Sequence, residues 1–360
     1  MLAIITDTHV GARSSSSIFR TYMKDWYANE FFPKLEERGV ETILHLGDFF
    51  DNRNSITLAD IDFVINWFAP MLIKHDVKMI VVLGNHDVAY KNTNKVHSLS
   101  MLKAAAPDNV EVIEDVTTWR CDNQDFVLVP WINASNYDTT LQALSAVANK
   151  ADVIVAGHFE FAGFKHYANS SPADHGMDAS LFKDFKEVWS GHYHHPSKLT
   201  NVRYMGSAFH LNWQDYNDNR GFWLFDDSLE YVENDTCLFI RAAFDADIFK
   251  AMQDYEYVDA FEGMFVQLVV DGDYDKVALM DVVAKINRAK PHDLQIINNQ
   301  VLKEGNSQAA DADLEVRTSK TTEEYISSYI EDRDDFNVVG VRDKMAEVYK
   351  KAQDIMVKGE

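Results

Sequence analysis

The sequence predicts an α/β fold in which chemically active loops collect at the carboxyl ends of buried strands. Two observations predict it. Short Val- and Ile-rich runs alternate with longer segments of helical apolar period. Five of the short runs end at once in clusters of Gly, Asp or His, and ligands of open α/β sheets gather at the carboxyl ends of strands. The clearest case is Met79 to Asp87, M-I-V-V-L-G-N-H-D. Its apolar half reads as a buried strand. An Asn, a His and an Asp in succession cannot be core, because each would have to be desolvated. At a sheet mouth they can converge on a bound group.

The totals bound the function classes. With 360 residues, 46% apolar, the chain is globular and long enough for one large core and one or two smaller units. Its two cysteines, Cys121 and Cys237, exclude a disulfide framework or a Cys-rich zinc site. The first residues run straight into a strand, and no apolar run reaches transmembrane length, so a soluble cytoplasmic protein is expected. The net charge of -23 is unlike that of a lone, tight nucleic-acid binder. DNA handling would need metals, a local basic patch or a partner.

In order, Leu2 to Thr6 is a strand followed by Asp7-Thr8-His9. Ile18 to Glu37 reads as a helix that Pro33 should bend or end. Thr42 to Leu46 is a strand followed by Gly47-Asp48-Phe49-Phe50-Asp51. Thr57 to Lys74 is a helix with an apolar stripe of Ile61, Val64, Ile65, Phe68, Met71 and Leu72, and with Phe63, Trp67 and Ile73 off it. Such a helix is either fully buried or shared with a partner. Val96 to Ala106 reads as a further helix. Val110 to Val116, Thr118 to Cys121 and Phe126 to Trp131 are expected strands, and Asn133 to Lys150 a loop and helix. Asp152 to Ala156 and Lys186 to Ser190 are buried strands ended by Gly157-His158 and Gly191-His192-Tyr193-His194, and Val202 to Gly206 and Phe222 to Phe225 continue the strand-rich part. The predicted organisation is a first domain over 1–240, a small α+β domain over 241–302, a polar linker over 303–320 and a helical hairpin over 321–360. The hairpin's apolar faces have no core left in sequence order, and either dock on another helix or pack back on the first domain.

Seven candidate ligands stand out: Asp7, His9, Asp48, Asn85, His158, His192 and His194. Oxygen and imidazole donors without thiolate suit Mn²⁺, Fe or Zn²⁺. Seven are too many for one tetrahedral ion. With one carboxylate shared, expected to be Asp48, they supply four ligands to each of two ions. Two ions about 3.5–4 Å apart can clamp a phosphoester for in-line attack. His86 is then left over. Protonated and held by Asp87, it could stabilise the transition state and protonate the leaving alkoxide.

The ordered set D-x-H, G-D-x-x-D, G-N-H-D, G-H and G-H-x-H resembles the calcineurin-like metallophosphoesterases. Within them the chain is similar to the nuclease subunits of SbcCD-type double-strand-break repair complexes, including those of T-even-type phages. The stretches Tyr90-Lys91-Asn92, Lys186 to His192, Asn201 to Tyr204 and Arg220 to Trp223 carry the closer likeness. The resemblance implies a β-sandwich flanked by helices, with the small domain capping the site. It implies one metal on Asp7, His9, Asp48 and His194, another on Asp48, Asn85, His158 and His192, and His86 as the catalytic histidine. It further implies Mn²⁺ dependence, with Mg²⁺ as a substitute. The implied activities are double-stranded DNA exonuclease and single-stranded DNA endonuclease. A homodimer would form through residues 57–74 and 96–106, and the C-terminal helices would bind the coiled coil of an SMC-like ATPase. This chain departs from the pattern at His210, where an apolar residue is more usual, and at His195, an added base. Its acidity leaves much of the DNA grip to the ATPase. A phosphatase of the same fold and a non-catalytic DNA-end scaffold are the rival readings. The unmatched apolar tail argues against the first, and the intact ligand set with His86 against the second.

Overall fold

The computed structural model describes residues 1–245, 258–271 and 274–299, which divide between Cys237 and Leu238 into two compact units. The linker over 303–320 and the helices over 321–360 lie outside the described residues. No helix among the described residues is long and apolar enough to cross a membrane.

The first unit is built on two six-stranded sheets. One runs, in spatial order, Leu229–Glu233, Gly221–Phe225, Leu2–Ile5, Thr42–His45, Lys78–Val82 and Val110–Ile113. Its last four strands are mutually parallel. The other runs Ser197–Leu199, Val202–Tyr204, Glu187–Gly191, Val153–His158, Gln124–Val129 and Thr117–Cys121, parallel through its four central strands. Parallel strands need both faces covered, which is why they read as continuous apolar runs. Alternate residues do the covering. Leu2, Ile4, Leu44, Ile80 and Val82 from the first sheet meet Phe126, Leu128, Ile154, Ala156 and Trp189 from the second in one buried cluster. The opposite face of the second sheet, with Val127, Val155, Val188 and Tyr204, packs against Phe159, Phe161, Phe164 and Phe182. The two sheets thus form the sandwich, and their parallel strands carry the candidate ligands out at one rim.

Two helices depart from expectation in the same way. Ser17–Trp26 passes through a π-helical turn, Tyr27–Phe31, into Phe32–Arg38, so Pro33 does not end it. Leu58–Phe63 passes through Val64–Phe68 into Ala69–Lys74, which holds Pro70. Each proline follows the wide turn, in the first turn of the next α segment, where a missing N–H costs little. The wide turn also shifts the apolar stripe of the second helix. Phe63, Val64, Phe68 and Leu72 are buried, whereas Ile65 is 40% exposed, alongside Leu58 at 84% and Ile73 at 53%. The helix is therefore buried on one face only. Val96 is not helical: Thr93–His97 pairs with Val88–Tyr90 as a hairpin about Lys91-Asn92, and the helix is Leu99–Ala105.

The second unit is a three-stranded parallel sheet of Phe239–Ala243, Phe265–Val270 and Asp293–Asn298. Lys276–Arg288 packs on it through Leu279, Val282, Val283 and Ile286, and is capped by the Asp275 carboxylate. The strand Phe239–Ala243, split by the predicted boundary at 240, belongs wholly here.

Trp189 joins the two sheets of the first unit and contacts Phe126 and Phe225. Trp189→Ala should lower stability by about 3–5 kcal/mol, read as a lower urea midpoint with unchanged slope. A loss within ±0.5 kcal/mol, as surface changes give, would contradict the packing described.

Candidate metal centre

Three of the five loops that bear candidate ligands leave their strands under unusual backbone constraint. Asp7, His9, Asp48 and His192 all have positive φ, between 47° and 89°. Non-glycine residues rarely stay there unless the surroundings over-determine them, and such strain clusters at functional sites. Two glycines show why the loops can crowd. A Cβ on Gly84 would stand 2.2 Å from both the amide nitrogen and Oδ1 of Asp48. One on Gly191 would stand 2.2 Å from Thr6 Oγ1 and 2.9 Å from Asp7 Oδ2. Only glycine lets one strand end press against the next carboxylate.

The seven candidate ligands come together at this rim. His9 Nε2 lies 3.1 Å from His194 Nε2 and 3.9 Å from Asp7 Oδ1. His158 Nε2 lies 3.0 Å from Asn85 Oδ1 and 3.2 Å from Asp48 Oδ2, and His192 Nδ1 lies 2.9 Å from the same Asn85 oxygen. The His192 amide donates to both carboxylate oxygens of Asp7, joining the two sides. Two groups result, Asp7 with His9 and His194, and Asp48 with His158 and His192. Within each group the potential ligand atoms lie no more than 4.8 Å apart.

The electrostatics suit cations. Burial lowers the pKa of His9, but Asp51, Asp48 and Asp7 raise it more, to about 9. Burial likewise opposes protonation of His158, and Asp48 overrides it, again to about 9. His192, by contrast, is held well below the usual histidine range by burial and by His158. Its buried Nε2 has no hydrogen-bond partner, with Glu160 4.0 Å away. His158 Nδ1 must donate to the Leu46 carbonyl at 2.7 Å, which leaves Nε2 as the nitrogen free to ligate. Carboxylates that draw protons onto two buried imidazoles would equally draw divalent ions. The residues present therefore fit two such ions.

Asp87 does not hold the His86 ring. Its buried carboxylate accepts N–H bonds from Gly84, Asp48, Phe49 and Phe50 at 2.9–3.1 Å. Burial and the Asp48 carboxylate push it up to about 7, against the pull of those amides. The His86 ring instead donates from Nδ1 to the Asp51 carbonyl, and its own amide donates to Asp48 Oδ1 at 2.8 Å. Sequence neighbourhood suggested an Asp–His pair, but the turn after Gly84 sends the two side chains to different partners.

Three further residues, to which the sequence pattern gives no role at the site, support the centre. Asp51, the second carboxylate of G-D-x-x-D, lies 3.3 Å from His9 Nδ1. Asp215 lies 3.5 Å from His194 Nδ1 and accepts from Arg220 at 2.6 Å, both partners fully buried. Asp51 could have been found from its motif; Asp215 and Arg220 lie in a polar loop without periodicity. The two unusual histidines belong to this support. His195 Nδ1 sits 3.0 Å from the Asp218 carboxylate, and His210 Nε2 donates to the Asp218 carbonyl.

Residues 1–196 match the family described as calcineurin-like phosphoesterase. The chain belongs to that family. It is 31% identical over 267 residues to exonuclease subunit 1 of Enterobacteria phage T4, an alignment spanning 73% of this chain and 75% of that protein. Among solved structures it is similar to the nuclease MPE of Pseudomonas putida, at 15% identity and TM-score 0.29 over 62% of this chain and 84% of that one. It is also similar to GAP50, the anchor in the inner membrane complex of Plasmodium, at 14% identity and TM-score 0.36 over 62% and 79%. Structural likenesses of that size carry no argument about chemistry. The family membership makes the chain a metal-dependent phosphoesterase.

Arg220→Met would strip the buried Asp215 carboxylate of its guanidinium partner and should cost about 3–5 kcal/mol. Adding Asp215→Asn should recover part of that loss in a double-mutant cycle of unfolding free energies. Strict additivity would mean that the pair is not coupled.

Proposed function

We propose that this chain is a metal-dependent DNA nuclease, cutting double-stranded DNA as an exonuclease and single-stranded DNA as an endonuclease. The observation that carries the reading is the convergence of the seven ligand-type side chains with His86 at their edge, its ring 5.2 Å from that of His9. The likeness to a phage exonuclease subunit points the phosphoesterase chemistry toward DNA.

In this reading Asp7, His9, Asp48 and His194 hold one ion and Asp48, Asn85, His158 and His192 the other, with Asp48 shared. Two divalent ions held there, Mn²⁺ in our reading, would supply Lewis acidity to the phosphate oxygens and would lower the pKa of the attacking water. The chain's own residues do the rest. Asp87 fixes the backbone that presents Asp48, so the shared carboxylate cannot swing away. The Asp51 carbonyl occupies His86 Nδ1, which leaves Nε2 to face substrate. As the P–O bond to the leaving strand breaks, Nε2 gives its proton to the departing alkoxide.

The assembly follows the same reading. Leu58, Ile65 and Ile73, exposed on one helix, suit a homodimer seam over residues 57–74 with the neighbouring helix Leu99–Ala105. An SMC-like coiled-coil ATPase would engage residues 321–360 and supply DNA contacts that a chain of net charge -23 lacks.

Linear duplex DNA with Mn²⁺ tests this directly. Wild type should degrade it, chelator should abolish cleavage, and the candidate ATPase should raise the rate. His86→Ala should lower kcat by roughly 10²–10⁴-fold while calorimetry still detects metal binding. Full activity in Asp48→Asn or His192→Ala would sink the two-metal assignment. Intact DNA alongside rapid turnover of a phosphomonoester would pass the function to a phosphatase.

A further inference from the structure

A cavity of about 230 Å³ opens beside His158, lined among others by Trp131, Ile132, Tyr137, Phe159, Glu160 and Met177. It is smaller than the roughly 300–1,000 Å³ of sites for drug-sized ligands, and suits a single flat ring system. Its walls are aromatic and apolar. Trp131 lies 5.6 Å from the His192 ring and 5.9 Å from the His158 ring, so the cavity adjoins the candidate metal centre. The Trp131 backbone is pinned on both sides: its amide donates to the Leu83 carbonyl, and its carbonyl accepts from the side chains of Asn94 and Asn136. Tyr137, 43% exposed, stands at the helix start that follows. Among the described residues the lining holds no Lys or Arg, its one carboxylate is that of Glu160, and His158 closes it on the side of the metal centre.

That chemistry suits a neutral ring with a donor group better than a phosphate, whose oxygens would meet apolar walls and the Glu160 carboxylate. We propose that the cavity receives an unpaired nucleobase of the scissile strand, stacked on Trp131 or Tyr137, with Glu160 accepting from an exocyclic amino group. The proposal rests on the nuclease reading and adds a subsite to it. Phosphate oxygens go to the metal centre, and the base beside them leaves the stack for the aromatic wall. Such a site accepts any base with an amino edge, because every base has a π-face. It also ties cleavage to unpaired residues, which cost least to extrude.

The test uses the full-length protein and single-stranded oligonucleotides carrying one abasic residue at successive positions around the cleaved phosphate. For wild type with Mn²⁺, KM should rise roughly 5- to 150-fold at one position, the fold-change equal to the stacking energy of one base. Tyr137→Ala, and Met177→Trp to fill the cavity, should raise KM for the intact strand and lose that abasic penalty. In chelator, 2-aminopurine at the same position should be quenched on binding wild type and not on binding the variants. An undiminished abasic penalty in both variants overturns the subsite, as does wild type that cuts intact and abasic strands equally well. Wild type that cuts neither strand overturns the nuclease reading itself.

Discussion

The Asp87 carboxylate is the constraint on which the rest of the centre depends. It takes four backbone N–H bonds from two different strand ends, Gly84 on one side and Asp48 to Phe50 on the other. Those amides would otherwise be buried donors without acceptors, each costing about 1–3 kcal/mol. One buried carboxylate thus fastens two loops and sets the distance between Asp48 and Asn85. Glycine at position 84 is the steric condition for the same closeness, since no Cβ fits against Asp48.

Around that fastening the rim is a balance of burial and charge. Histidines in a dry site would ordinarily lose their protons. His9 and His158 are instead raised to about 9, because Asp51, Asp48 and Asp7 face them, whereas His192 is lowered by burial and by His158, and the more remote His45 is pushed down to about 3 by the same causes. The positive φ at four candidate-ligand residues carries backbone strain of about 1–3 kcal/mol each. The sandwich core beneath, with Trp189 between the sheets, supplies the rigidity that holds such strain in place.

Where the sequence and the structure part, a local geometric device is the cause. The pattern has Pro33 bend or end its helix; the helix instead runs on past it, because a π-helical turn just before it places the proline in the first turn of the next α segment. The same device at Val64–Phe68 moved Phe63 into the buried face and Ile65 out of it, which periodicity of 3.6 cannot register. Val96 joined a hairpin because Lys91-Asn92 makes a turn that an apolar count overlooks. Asp87 next to His86 suggested a pair, and the chain direction after Gly84 separated them.

By itself the sequence determined the α/β class, the strands that end at the rim and the seven candidate ligands that the structure brings together there. Buried parallel strands must be apolar throughout, and polar residues at their ends must serve a site, so both leave a local signature. The tertiary structure alone decided the structural role of Asp87 and the support of His194 by Asp215 and Arg220. These depend on which strand ends lie side by side in two facing sheets. Side chains 21 residues apart, like His194 and Asp215, meet only because the turns between them return the chain to the same rim, and no spacing along the sequence records that return.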